Sequence, residues 1–89
     1  MKSQISKAAK RFVRALSEQW QEEVSQALLD LEDNQAPASS IELTGYRGYR
    51  RLRIGSFRIL YRVGKNTVYV LRIEKRSGKT YRGLNPENS

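Results

Sequence analysis

The chain predicts an α+β fold in which a helix hairpin packs on one face of a small antiparallel sheet. Two observations carry this prediction. Two apolar stripes at helical spacing fill residues 6–32, and three strand-like runs separated by two glycine-containing turns fill residues 49–75. The charge also changes sign along the chain. Residues 1–44 hold five Lys/Arg against seven Asp/Glu, and residues 45–89 hold twelve against two, within a total of +8.

At 89 residues the sequence reads as a single domain over 1–89. A chain of this size buries only roughly 60% of its unfolded surface, so its core is thin. It contains no Cys and no His, which excludes disulfides, thiolate nucleophiles and the commonest metal ligand and neutral-pH base. No cofactor is expected. No apolar run reaches the length of a membrane span and no secretory h-region opens the chain, so a cytoplasmic protein without membrane contact is expected.

Residues 1–5 allow the stub of a first strand. Ser6 stands where an N-cap belongs, and Ala9, Phe12, Val13 and Leu16 follow at i, i+3, i+4 and i+7, which predicts a first helix to about Leu16. Ser17 is the second N-cap. Trp20, Val24, Ala27, Leu28 and Leu31 form the stripe of a second helix to about Glu32, with Glu18, Glu22 and Glu23 near its positive end. Trp20 lies on that stripe and reads as a core anchor. Residues 33–40 are a loop, residues 41–43 a short extended segment, and Thr44-Gly45 a turn.

Three strands follow, over 49–54, 57–63 and 67–75. Gly55-Ser56 suits a type II′ turn and Gly64-Lys65-Asn66 is a three-residue connection, so the strands form an antiparallel meander. Residues 82–89 read as a loose tail.

Strand alternation then sorts the side chains. Leu52 and Ile54, then Phe57, Ile59, Tyr61 and Val63, then Tyr69, Leu71 and Ile73 are expected on the apolar face under the helices. The open face collects Arg51, Arg53, Arg58, Arg62, Arg72 and Arg76 over a floor of Leu60, Val68 and Val70, with Glu74 its only acid. A merely solubilising face is the competing reading. Like charges facing each other across strands destabilise a sheet, so six arginines on one face point to a polyanionic ligand, and guanidinium matches phosphate.

The runs L-T-G-Y-R-G-Y-R-R-L-R-I-G-S-F-R-I-L-Y (43–61) and V-Y-V-L-R-I-E-K-R-S-G-K-T-Y (68–81) resemble the RelE branch of the RelE/ParE toxin superfamily of toxin–antitoxin pairs. The resemblance spans Ser6 to Tyr81. It implies a RelE-like domain and a metal-independent endoribonuclease that cuts mRNA in the ribosomal A site by attack of a ribose 2′-OH on the adjacent phosphate. Carried over by motif position, it implies catalytic Arg58, Arg76 and Tyr81 and substrate-binding Arg51 and Arg53. Arg62 and Arg72 share their face without a motif match. Arg47, Arg50, Lys79 and Arg82 are expected to contact phosphate backbone. The implied partners are the ribosome, mRNA and an acidic, partly disordered RelB-like antitoxin, with DNA contacted only through the antitoxin complex.

Some family members carry lysines where this chain has Arg51 and Arg53. Arginine does not release its proton, which leaves Tyr81, Glu74 or Lys75 as the candidate base. The N-terminus is shorter than the family's first strand, and little chain follows Tyr81. Two other functions compete: a ParE-like inhibitor of DNA gyrase, a branch that generally lacks the arginine/tyrosine set and is disfavoured by Arg76 and Tyr81, and a non-catalytic RNA- or ribosome-binding module, which the arginine face would serve equally well.

Overall fold

The computed structural model describes residues 1–75. Arg76, Lys79, Tyr81, Arg82 and the expected tail lie outside the described residues. The elements run β1 (Lys2–Ile5), α1 (Lys7–Arg14), α2 (Glu18–Asp33), β2 (Ser40–Glu42), β3 (Tyr49–Ile54), β4 (Phe57–Val63) and β5 (Thr67–Lys75). The expected meander is present and gains a strand at each edge. The sheet order is β1-β5-β4-β3-β2. The N-terminal stub is thus a true strand, pairing parallel with β5 from Lys2 opposite Thr67 to Ile5 opposite Val70, which makes the sheet mixed.

β1 and β2 lie at opposite edges, so the helix hairpin joining them crosses the whole sheet. It covers one face only. Val24, Leu28 and Leu31 of α2 and Ala9 of α1 are buried against Leu52, Ile59, Tyr61, Val68, Val70 and Ile73, with Phe12, Val13 and Leu16 packed around them. Both serines stand at the expected N-cap positions, but only Ser6 caps with its side chain. The Ser6 hydroxyl accepts from the Ala9 N–H at 3.1 Å. The Ser17 hydroxyl makes no capping bond. Instead the Gln21 amide donates to the Arg14 and Leu16 carbonyls at 3.1 and 3.0 Å, satisfying the end of α1 from the start of α2.

Gly55 has φ +53°, as the first position of a primed hairpin turn requires. Trp20 is half-buried and does anchor packing: its ring meets Phe57 edge-on at 4.8 Å and lies directly over this turn. Between β2 and β3 the chain makes two successive turns, with Tyr46 N–H bonded to Leu43 C=O and Tyr49 N–H bonded to Tyr46 C=O. Gly45 and Gly48 hold the third position of each at φ +81° and +85°, the signature of type II turns.

One expectation fails, and a bulge explains it. Tyr61 pairs with Val70 while Leu60 pairs with Arg72, so Leu71 has no partner on β4. Regular alternation placed Tyr69 and Leu71 under the helices and Val68 and Val70 on the open floor. The structure reverses this. Val68 and Val70 are fully buried in the core, and Tyr69 pairs with Arg62 on the open face. Beyond the bulge the parity returns to the expected one, with Ile73 in the core and Arg72 and Glu74 exposed. Ser6 secures this point: its hydroxyl donates to the Leu71 carbonyl at 2.8 Å while its N–H bonds to Val70.

Candidate nucleic-acid interface

The face opposite the helix hairpin is built, among the described residues, in three rows, each running across the sheet. The first is Arg53–Arg58–Glu74, the second Ile41–Arg51–Leu60–Arg72, and the third Tyr49–Arg62–Tyr69–Gln4. Rows two residues apart on a strand are separated by roughly 7 Å. Five of the six expected arginines therefore share the face, and Arg76 lies outside the described residues. Among the described residues Glu74 is the only acid on it.

Two shallow clefts adjoin on this face. One, of about 280 Å³, is lined by Leu43, Arg51, Arg58, Leu60, Arg72 and Glu74. The other, of about 240 Å³, is lined by Ala38, Ser39, Ile41, Arg51 and Arg53. Arg51 belongs to both. The arginines differ in how firmly they are held. The Arg58 side chain is 23% exposed and forms the floor, whereas Arg72 at 69% stands on the rim. Glu74 lies between them, its carboxylate 4.0 Å from Arg58 and 3.5 Å from Arg72. Arg53 and Arg58 face one another directly across β3 and β4.

The third row differs in chemistry. The Arg62 guanidinium lies 4.4 Å above the Tyr69 ring, and Tyr49, on its other side, meets Tyr46 edge-to-face at 6.1 Å. Planar groups of this kind can stack on nucleobases. Regular alternation puts Tyr69 on the helix side because V-Y-V-L offers four apolar residues in a row, and such a run hides the parity on which the assignment depends; the parity of Arg51 and Arg53 already puts Tyr49 on this face.

Two further candidate residues lie off this face. Lys75 pairs with Phe57, which puts it in the row on the helix side of the sheet and away from Glu74. Arg50 also belongs to the helix side, where its guanidinium donates to the Ser40 hydroxyl at 3.0 and 3.2 Å. Its role there is structural, tying β3 to the edge strand. Arg47 sits exposed in the loop between β2 and β3.

Among the described residues no helix is long and apolar enough to cross a membrane. A comparison with curated proteins finds no match. Solved structures do match. The isolated RelE toxin of E. coli aligns with a TM-score of 0.76 over 92% of each chain at 17% identity. The archaeal RelE–RelB complex from Pyrococcus horikoshii gives 0.77 over 86% of this chain and 96% of that one at 20% identity. The toxin–antitoxin complex RelBE2 of Mycobacterium tuberculosis gives 0.68 over 84% and 96% at 24% identity. These likenesses establish a shared fold. The family model for the ParE toxin of the type II toxin–antitoxin system parDE matches residues 2–79. With that match covering most of its length, the chain belongs to the ParE toxin family of type II toxin–antitoxin systems, on a fold it shares with the RelE toxins.

Proposed function

We propose that this toxin is a metal-independent endoribonuclease that cleaves mRNA in the ribosomal A site and so arrests translation. One observation carries the reading: Arg51, Arg53, Arg58 and Arg72 converge on adjoining clefts of the sheet face that no helix among the described residues covers. Polyanion recognition accounts for such a surface, and a stacking row beside it suits a single-stranded ligand.

In the proposed reaction the ribose 2′-oxygen attacks the adjacent phosphorus. The new O2′–P bond forms as the P–O5′ bond breaks, leaving a 2′,3′-cyclic phosphate and a free 5′-hydroxyl. Charge builds on the non-bridging oxygens, and fixed guanidinium groups stabilise it. Arg58, held at the cleft floor, is assigned that task together with Arg76. Arg51 and Arg53 bind the flanking backbone. A proton must leave the 2′-hydroxyl and another must reach the 5′-oxygen. Tyr81 is the proposed proton-transfer group, since Lys75 belongs to the other side of the sheet. The ribosome and mRNA are then partners in a cytoplasmic reaction. The toxin–antitoxin complexes among the structural relatives support a cognate antitoxin for this chain, and an acidic one would cover the arginine face.

Primer extension on ribosome-bound mRNA tests the reading. Wild-type protein is expected to produce A-site cuts, and Arg58→Ala to lower the cleavage rate by about 10²-fold or more, the scale of a lost charge-stabilising donor, while the far-UV spectrum is unchanged. Full cleavage by Arg58→Ala would remove this residue from the site. The matching family model favours a second reading, a ParE-like inhibitor of DNA gyrase. Inhibition of supercoiling by purified protein, with mRNA left intact on ribosomes, would establish that reading instead.

A further inference from the structure

We propose that the Glu74 carboxylate is an internal stand-in for a substrate phosphate: a displaceable counter-ion that occupies the anion seat between Arg58 and Arg72 until the ligand arrives. The inference rests on the reading of this face as an RNA-binding surface and deepens it, by naming what fills the seat in the free protein.

Three features support it. The first is position. Glu74 is the only acid on the open face among the described residues, and the register sets it beside Arg58, which itself faces Arg53. The row therefore reads cation, cation, anion. The second is contact. The two carboxylate oxygens reach different arginines, Oε1 toward Arg58 and Oε2 toward Arg72, within a cleft those three residues help to line. A phosphate offers the same pair of anionic oxygens. The third is weakness. Separations of 4.0 and 3.5 Å with a carboxylate side chain 48% exposed describe a loose pair. Exposed pairs of this kind contribute little stability, so a phosphate displaces the carboxylate at small cost.

The arrangement solves a problem that the arginines create. Cross-strand like charges oppose folding, and a face built to bind a polyanion has them by design. A carboxylate that neutralises part of the face in the free protein and swings out on binding relieves the repulsion without closing the site. Glu74 thereby sets the threshold for binding: only a ligand with more negative charge than one carboxylate gains by replacing it.

The test compares Glu74→Gln with Glu42→Gln, an exposed acid on the edge strand whose register lies on the helix side. Two probes are titrated at low salt: inorganic pyrophosphate, followed through the arginine Nε–H resonances, and a short 2′-O-methyl RNA, which has no free 2′-hydroxyl and is not cut. Glu74→Gln is expected to bind both probes about threefold to tenfold more tightly, the scale of one like charge removed from a partly exposed site, and to melt a few degrees lower. Glu42→Gln is expected to change neither affinity by as much as twofold. Tighter pyrophosphate binding with unchanged RNA binding would uphold the seat and overturn the RNA reading. Unchanged or weaker affinity for both probes, or an equal gain in Glu42→Gln, would overturn the proposal. If Glu74 acted as the base instead, Glu74→Gln would lose cleavage on ribosomes with no gain in affinity.

Discussion

Single residues show how the helix layer and the basic face are tied together. Gly55 turns the chain between Arg53 and Arg58 at positive φ, and a Cβ there would come 2.7 Å from Cη2 of Trp20. The outer edge of the tryptophan ring thus abuts the turn that positions two of the site arginines. Gly55→Ala combines a left-handed backbone penalty with displacement of a packed indole. It is expected to destabilise the fold by about 1–3 kcal/mol, read as a lower urea midpoint with an unchanged slope. Arginine at 51 and 53 is legible from sequence because each alternates with an apolar residue that buries. Arg62 is legible as open-facing for the same reason. Its stacking on Tyr69 is not, because that partner's face depends on a bulge two residues along its own strand.

At the scale of the elements, the joint between Ser6 and Leu71 matters most. One hydroxyl caps α1 and also takes up the carbonyl of the bulged residue. Ser6→Ala should therefore cost about 1–2 kcal/mol, at or above the usual loss of an N-cap, because a second partner is orphaned as well. Hydrogen exchange is expected to quicken at Ala9 and around Leu71 together; faster exchange at the helix start alone would show the two to be uncoupled. The helices, the meander and both tight turns were readable from periodicity and glycine placement, since those signals are local. The edge strands were only partly readable. β1 is four residues long and its partner lies 65 positions away, so no local pattern announces the parallel pairing. The bulge was invisible because Val68 to Leu71 carries no polar residue to mark its phase.

For the whole molecule, one face of the sheet carries the core and the other carries charge. α2 contributes exposed Glu18, Glu22, Glu23, Asp30 and Asp33, whereas the uncovered face presents five arginines. Affinity for single-stranded RNA is expected to fall steeply with salt. Contacts from these arginines to about three to five phosphates give a slope of about −2 to −3.5 in log K against log salt concentration. Fluorescence anisotropy with a labelled, non-cleavable RNA measures it. A slope near zero would mean that the arginines do not meet phosphates. A single substitution such as Arg53→Ala should reduce the slope by about 0.7.

The unpaired Leu71 also bears on the gene. β4 has a hydrogen-bonded neighbour on each side and no slack, so losing or gaining one codon between 57 and 63 turns part of its arginine set into the core. Codon 71 is different. Removing it leaves Val70 opposite Tyr61 and Arg72 opposite Leu60, with both faces intact and only the Ser6 contact to replace. In a library of single-codon deletions, soluble folded protein is expected from the loss of codon 71 and not from losses within 58–62. The bulge marks where this chain can lose a residue without scrambling its surface.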